Sequence, residues 1–360
     1  MKTFAHNNQP SRPEVVLLIV VLLAAFRVCL LPALLFERCG ESAVYAVLLG
    51  FGVDAVVTLS ALRVASAGGV SNLDIPAPMR RVVSGLLALL CLFKTVLRTY
   101  ETVQYCTGEL FEQAAPYLLA LVLLLTSAVL ATRGPVGIAR TGLIFVLVSV
   151  FLAVLALFFF GFEGYGDNLW GLLRPRGLGD GLLYSMSWVG DGVVLAFADT
   201  RGDRRVHGRY GYAWLTMGLL LLGLAAFYVN FVYCYGSAGR YVQFAFIRLL
   251  TNGDPEELGA VDWPVSLIWL MAVPLHLSAQ FYAGGEGLRV AFSREGRGGH
   301  LWSLLALSFA AAAYRLLFAD KDGFARVVGS AALSWTMVGF LAVCVLGTAV
   351  YAWRHRRQTT

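Results

Sequence analysis

The sequence has few charged residues. Asp, Glu, Lys and Arg make up 14% of its 360 residues, whereas hydrophobic residues make up 58%; soluble domains are about 25% charged. A water-soluble fold could not bury this much apolar surface, so the expected solvent is a lipid bilayer. The formal charge of +6 does not indicate nucleic acid, because the basic residues lie in short segments between apolar runs, the pattern of membrane topology.

The chain also lacks the short motifs of common enzyme classes. It has no HExxH, GxSxG or P-loop sequence. Of its five histidines, only His276 lies in the interior of an apolar run, and its six cysteines form no CxxC pair. We therefore predict that the protein is not an enzyme and that it holds no cofactor and no metal.

Ten apolar runs are present instead, each about the 20 residues that a transmembrane helix needs. The start, MKTFAHNNQPSRPE, is expected to be a polar tail rather than a signal peptide. Segments on the predicted inner side carry about twice as many Lys and Arg residues as the outer segments, which places both termini in the cytoplasm. The predicted spans are residues 15–36, 42–63, 81–106, 115–132, 139–161, 181–198, 210–235, 263–288, 300–319 and 327–353.

Two of these spans contain residues that interrupt a helix. In the sixth span, SWVGDGVVLAF (187–197), Asp191 stands between Gly190 and Gly192. A carboxylate at mid-bilayer costs about 2.5–3.5 kcal/mol on insertion scales, and each glycine disfavours helix by about 1 kcal/mol relative to alanine. In the first span, Arg27 lies halfway along and Pro32 removes a backbone donor. Non-helical backbone at this depth must be buried in protein or line a wet cavity.

Paired interruptions at corresponding positions of two halves predict a transporter architecture. Spans one and six each begin a set of five spans, which is the sequence pattern of a 5+5 inverted-repeat (LeuT-like) fold with its site at the bilayer midplane. The protein is therefore expected to be an all-α integral membrane protein of about ten helices with helices one and six broken. The predicted divisions are a cytoplasmic tail (1–14), a first repeat (15–161), an outer connector (162–180), a second repeat (181–353) and a cytoplasmic tail (354–360).

Further polar residues occur inside the spans. Arg27 and Asp191 have opposite charge at similar depth, which suggests that they face each other across the site, directly or through a ligand. Alternatively, Arg27 extends to one interface and Asp191 caps a half-helix. Other polar residues are candidates for an intramembrane charge network or for helix–helix contacts. In span three, Lys94, Arg98 and Glu101 lie on one helical face, and Tyr100 is adjacent. Span eight contains His276, Ser278, Gln280 and Tyr282, and span two contains Asp54.

Four local sequences resemble the spore-germination permease family, the B subunit of nutrient germinant receptors, within the amino acid–polyamine–organocation transporter superfamily. The similarity covers roughly residues 15–345 in span order and loop length. The matching stretches are LPALLFERCGESA (31–43), RGPVGIARTGLIF (133–145), SWVGDGVVLAF (187–197) and VDWPVSLIWLMAV (261–273).

The resemblance implies a sensor rather than a conventional carrier. It implies binding of a small nutrient such as an amino acid in the inner spore membrane, together with a membrane A subunit and a lipoprotein C subunit, to trigger germination. The ligand-binding positions that it implies are Ala25, Phe26 and Arg27, the stretch Val189, Gly190, Asp191 and Gly192, and Tyr100, Ser278 and Tyr282. Phe26 and Arg27 depart from the family's small-residue first break, so Arg27 could bind an acidic group or plug the site. The alternative is a proton-coupled transporter of amino acids or amines that uses Asp54, Glu101 or Asp191.

Overall fold

The computed structural model describes residues 9–110, 113–144, 164–200, 210–242, 262–292, 299–318, 327, 330–343 and 347. Within these ranges the regular structure is helical. The α-helices are α1 (Arg12–Ala24), α2 (Leu31–Cys39), α3 (Ala43–Ser66), α4 (Ala77–Tyr105), α5 (Pro116–Ala131), α6 (Gly134–Ile144), α7 (Leu178–Ser185), α8 (Gly211–Tyr235), α9 (Asp262–Ala291), α10 (Gly299–Phe318) and α11 (Ala331–Val343).

Helix starts follow local sequence signals. The first turns of α1, α2, α4 and α5 each contain a proline, which is suited to this position because the first backbone N–H groups of a helix have no intrahelical acceptor. At α1, Ser11 precedes the helix and Glu14 accepts its backbone N–H at 2.8 Å, half of a capping box. The Glu14 carboxylate also binds Arg140 of α6 at 2.8 Å, so this cap joins α1 to a neighbouring helix.

The predicted spans correspond to these helices. Spans two to four and seven to nine agree with α3, α4, α5, α8, α9 and α10 to within a few residues. The start of span five lies in α6, and span ten contains α11. Most of the rest of these two spans, residues 1–8 of the predicted tail 1–14, and the predicted tail 354–360 lie outside the described residues. The exact number of spans and the predicted domain divisions remain predictions.

By length and composition, three described helical stretches can each cross a membrane. These are Leu31–Ser66, which joins α2 and α3 through a short 3-10 turn, Ala77–Gly108 and Gly211–Tyr241. Helices α5 and α6 meet at an angle of 115°. Large apolar side chains remain exposed on α5 and α8, among them Leu118 and Leu222, as expected for surfaces that face hydrocarbon.

The polar interior lies between α3, α4, α9 and the interrupted spans. Helix α4 packs along α9, and α3 packs against the segment that follows the sixth-span break. The second half of α4, from about residue 90 to 105, is almost entirely buried, including its charged side chains. This arrangement brings charged side chains from α3 and α4 and polar side chains from α9 to the same depth as the two breaks.

Candidate functional site

The first span is broken between α1 and α2. Helix α1 ends at Ala24 and α2 begins at Leu31, and residues 25–30 form turns. The Trp269 indole of α9 donates a 2.8 Å hydrogen bond to the Ala25 carbonyl, which satisfies an acceptor that the interrupted helix leaves open. The prediction of a break at this position is confirmed.

The sixth span is broken around Gly190. Helix α7 ends at Ser185, a 3-10 turn covers Met186–Trp188, and a second 3-10 segment covers Asp191–Phe197. Gly190 has φ of 95°, a left-handed conformation that strongly favours glycine. A Cβ atom on Gly192 would collide with the Thr58 hydroxyl of α3, so this glycine permits close approach of the two backbones. Glycine is therefore required at the two positions that flank Asp191 for different reasons: backbone conformation at Gly190 and close packing at Gly192.

Arg27 joins the two breaks. Its side chain is buried, its Nη2 donates to the Trp188 carbonyl at 3.1 Å, and it forms an ion pair with Asp54 of α3. Asp54 also accepts the Gly190 backbone N–H at 2.5 Å. Tyr228 of α8 donates to the Arg27 carbonyl at 2.8 Å.

The predicted direct pairing of Arg27 with Asp191 is therefore wrong, and their pairing through a ligand stays a prediction. Arg27 pairs with Asp54, and Asp191 has other cations. The physical reason is that α3 packs beside the sixth-span break, so Asp54 reaches Arg27 while also fixing the Gly190 amide. The role of Asp54 was left open by the sequence, and the structure places it between the two breaks.

Asp191 lies at the centre of the second group of charges. Its Oδ1 accepts hydrogen bonds from Lys94 Nζ at 2.8 Å and from Gln280 Nε2 at 3.1 Å. Its Oδ2 lies 3.6 Å from Arg98 Nη2 and 4.0 Å from His276 Nε2. Asp191 is thus surrounded by side chains from α4 and α9 and is almost fully buried.

Lys94 and Arg98 connect α4 to both breaks. Lys94 donates to the Val189 carbonyl at 2.5 Å as well as to Asp191. Arg98 binds Glu101 at 3.1 Å, and Glu101 accepts the Leu30 backbone N–H at 3.3 Å. The predicted i, i+4, i+7 face of Lys94, Arg98 and Glu101 does point into the bundle and forms an ion-pair network.

Two aromatic rings enclose the Arg98 guanidinium. The ring of Phe26, from the first break, lies 5.1 Å from its central carbon, and the ring of Trp188, from the second break, lies 5.3 Å away. Cation–π contacts of this kind contribute about 0.5–2 kcal/mol, most when desolvated. Phe26 also packs edge-on against His276 at 4.8 Å. The large side chain of Phe26 therefore has a structural role, because it packs against Arg98 and His276.

The network has no net formal charge with His276 neutral. Three cations (Arg27, Lys94, Arg98) meet three carboxylates (Asp54, Glu101, Asp191), and all six side chains are at least 95% buried. An unpaired charge at such a position costs several kcal/mol, so every member depends on its partners. Among the described residues, Arg27 Nη1 and Gln280 Oε1 are buried polar atoms with no hydrogen-bond partner. Arg98 Nε and His276 Nε2 are further buried atoms of this region without a hydrogen-bond partner among the described residues.

Three predicted ligand positions lie away from this network. The Tyr100 ring contacts Tyr314 of α10, with centroids 6.4 Å apart. Ser278 donates to the Pro274 carbonyl within α9, and the Tyr282 hydroxyl lies 3.4 Å from the Phe197 carbonyl at the end of the sixth-span segment. The structure does not bring these three side chains to the charges around Asp191, and their ligand contact stays a prediction.

The structure places at Asp191 two residues that the sequence assigned to intramembrane polar contacts rather than to ligand binding. Gln280 and His276 are four residues apart on α9 and form the face that reaches Asp191. The sequence signal was this i, i+4 spacing, but it competed with the equal spacing of Ser278 and Tyr282. Trp188 and Trp269 carry no such signal, because an aromatic residue in an apolar run is usually a packing residue.

No cluster of three or more His, Cys, Asp or Glu side chains within the described ranges is arranged to hold a metal ion. The carboxylates of the network are bound by Arg and Lys side chains and by backbone amides.

Comparison with known proteins identifies the architecture. No protein-family model matches the chain, and no curated protein matches it. Among solved structures, the chain is similar to a Na⁺-coupled sialic acid symporter in a substrate-bound, outward-open state, with a TM-score of 0.56 and 14% sequence identity over 95% of this chain and 80% of that one. Together with the two breaks, this similarity shows that the chain has the LeuT-like fold of secondary transporters.

Proposed function

We propose that this protein binds a small nutrient, of the amino-acid class, at the buried site between the two helix breaks, and that it acts as the ligand-sensing membrane subunit of a germinant receptor. The observation that supports binding is the group of buried charges of both signs at the two breaks, with Arg27 Nη1 and Gln280 Oε1 left without partners. The receptor role, with its A and C subunits and its spore membrane, rests on the family resemblance alone.

A zwitterion suits this arrangement of charges. Its carboxylate can accept a hydrogen bond from Arg27 Nη1, and its ammonium can donate to Gln280 Oε1 and to Asp191. Such a ligand adds no net charge to a network that is already balanced, which avoids the cost of an uncompensated buried charge. A purely cationic or anionic solute would leave one unpaired charge in the interior.

The network also supports a switching role. The ion pairs of Arg27 with Asp54 and of Lys94 with Asp191 connect α3 and α4 to the two breaks. A zwitterion that engages Asp191 competes with Lys94 and so favours a different arrangement of the half-helices. The shift in population is limited by the difference in ligand affinity between the two arrangements.

A proton-coupled transporter of amino acids or amines is the second candidate. It is favoured by the transporter fold and by a titratable side chain in the network, His276, whose Nε2 lies 4.0 Å from Asp191 Oδ2. A proton on this carboxylate would weaken its attraction for Lys94 and loosen the network.

Reconstitution separates the two candidates. The purified chain is screened for thermal stabilisation with the twenty amino acids, and the best ligand is then offered in radiolabelled form to proteoliposomes under a pH gradient. A sensor binds this ligand without gradient-driven accumulation, and Asp191→Ala removes the stabilisation. Accumulation above the external concentration establishes the transporter. An identical response of wild type and Asp191→Ala would refute the binding site itself.

A further inference from the structure

A cavity lies beside the site. It has a volume of about 400 Å³ and is enclosed by α3, α4, the segment Asp191–Phe197 and α11. This volume is within the range of small-molecule pockets, roughly 300–1,000 Å³. The wall is almost wholly apolar, as shown by Val64, Val83, Val193 and Phe340. No residue of the charge network contributes to it.

The cavity opens towards the hydrocarbon. Three of its lining side chains, Met79, Leu86 and Val343, are large, apolar and exposed. In a chain with this fold, such an opening faces lipid tails rather than water. Ser60 and Thr336 are the polar side chains of a wall that is otherwise apolar, and the Thr336 hydroxyl already donates to the Ala332 carbonyl. The occupant that fits such a wall is a hydrocarbon chain.

Two arginines stand at the end of the cavity formed by the connection between α3 and α4. Arg63 and Arg80 directly adjoin the wall residues Val64 and Met79. Neither arginine forms an ion pair within the described part of the chain. Asp74 lies in the same connection, so the local charge of these three residues is positive. The sequence predicts this connection on the cytoplasmic side, where anionic headgroups attract basic side chains.

We propose that this cavity is a binding site for an anionic phospholipid, with an acyl chain between α3, α4 and α11 and the phosphate group against Arg63 and Arg80. The wall includes Val193 and Ala196, which belong to the segment that begins with Asp191. A bound acyl chain therefore packs against the broken part of the sixth span and stabilises it. The inference goes beyond the proposed function and does not depend on it.

Two glycines make a matched test of the acyl-chain position. A Cβ atom at Gly339, which lines the cavity, or at Gly218, on the exposed surface of α8, would meet no other atom within 4 Å. Gly339→Leu is expected to fill the cavity without a clash in the backbone. Gly218→Leu adds the same side chain to an exposed helix surface elsewhere.

The experiment is native mass spectrometry of the full chain with an equal mixture of dioleoyl phosphatidylglycerol and dioleoyl phosphatidylcholine, which differ only in the headgroup. Wild type and Gly218→Leu should retain one phosphatidylglycerol in preference to phosphatidylcholine, and Gly339→Leu should lose this adduct. The double variant Arg63→Gln with Arg80→Gln should weaken phosphatidylglycerol retention about 30-fold. Arg133→Gln, which changes another exposed arginine, should not weaken it.

The same lipid should raise the thermal transition temperature of wild type, and Gly339→Leu should remove this rise. Equal retention of both lipids by wild type would indicate ordinary contact with the bilayer and would overturn the proposal. Retention of neither lipid, or identical behaviour of Gly339→Leu and Gly218→Leu, would overturn it as well.

Discussion

The buried pair of Lys94 and Asp191 allows a quantitative test of what burial does to an ion pair. Lys94 Nζ lies 2.8 Å from Asp191 Oδ1, and the two side chains are 1% and 3% exposed. Arg289 Nε lies at the same 2.8 Å from Glu286 Oε2, but these side chains are 32% and 31% exposed. The two pairs therefore have equal separation and differ in solvent access.

Lys94→Met and Asp191→Asn each leave one charge of the buried pair without its main partner. Each single substitution is expected to lower the free energy of unfolding by about 3–5 kcal/mol. The double substitution removes both charges and keeps the network balanced, so its effect should be smaller than the sum of the single effects by about 3 kcal/mol. For the exposed pair, a cycle of Arg289→Gln and Glu286→Gln should give a coupling of about 1 kcal/mol or less.

The assay is reversible unfolding in mixed detergent micelles, followed by tryptophan fluorescence, for both double-mutant cycles. Lys94 also donates to the Val189 carbonyl, so Lys94→Met alone overstates the free energy contributed by the ion pair. The double-mutant cycle subtracts the contribution of this hydrogen bond. Additivity of the buried pair to within about 0.5 kcal/mol would show that Lys94 and Asp191 do not stabilise each other, and would refute the reasoning on burial.

Three further predictions concern the break, the face of α9 and the topology. Gly190→Ala should lower the free energy of unfolding by about 1–3 kcal/mol, because alanine is strained at this positive φ. Gly218→Ala, on the exposed surface of α8, should not lower it, and an equal change in the thermal transition temperature of the two variants would contradict the prediction. Gln280→Leu should weaken amino-acid binding at least tenfold in a titration, because Gln280 donates to Asp191, and Gly218→Ala on the exposed surface of α8 should leave binding unchanged. A reporter fused after Thr360 should be cytoplasmic, and an external signal would overturn the predicted orientation.

The sequence was sufficient to predict where the helices break. At Gly190 and Asp191 the local cost of helix was evident from residue type alone, and at Arg27 a charge and a nearby proline marked the same defect. Such signals are local, because helix propensity depends on the residue type and the cost of membrane insertion depends on the residue type and its depth in the bilayer. The apolar runs likewise predicted most helix bounds to within a few residues.

The partners of the charges could not be predicted in the same way. Arg27 was expected opposite Asp191 but binds Asp54, because pairing depends on how far α3 is rotated and shifted against the sixth span. A single sequence contains no information on that register. The face of α9 was ambiguous for a similar reason: two pairs at i, i+4 spacing were present, and only packing against α4 selects His276 and Gln280.

The position of Arg98 has a consequence for movement. Its guanidinium lies between Phe26 and Trp188, one ring from each interrupted helix, while Glu101 ties the same side chain to the backbone at Leu30. Neither interruption can shift far without giving up a contact that the other also uses. A solute that contacts only one interrupted helix would therefore also affect the position of the other.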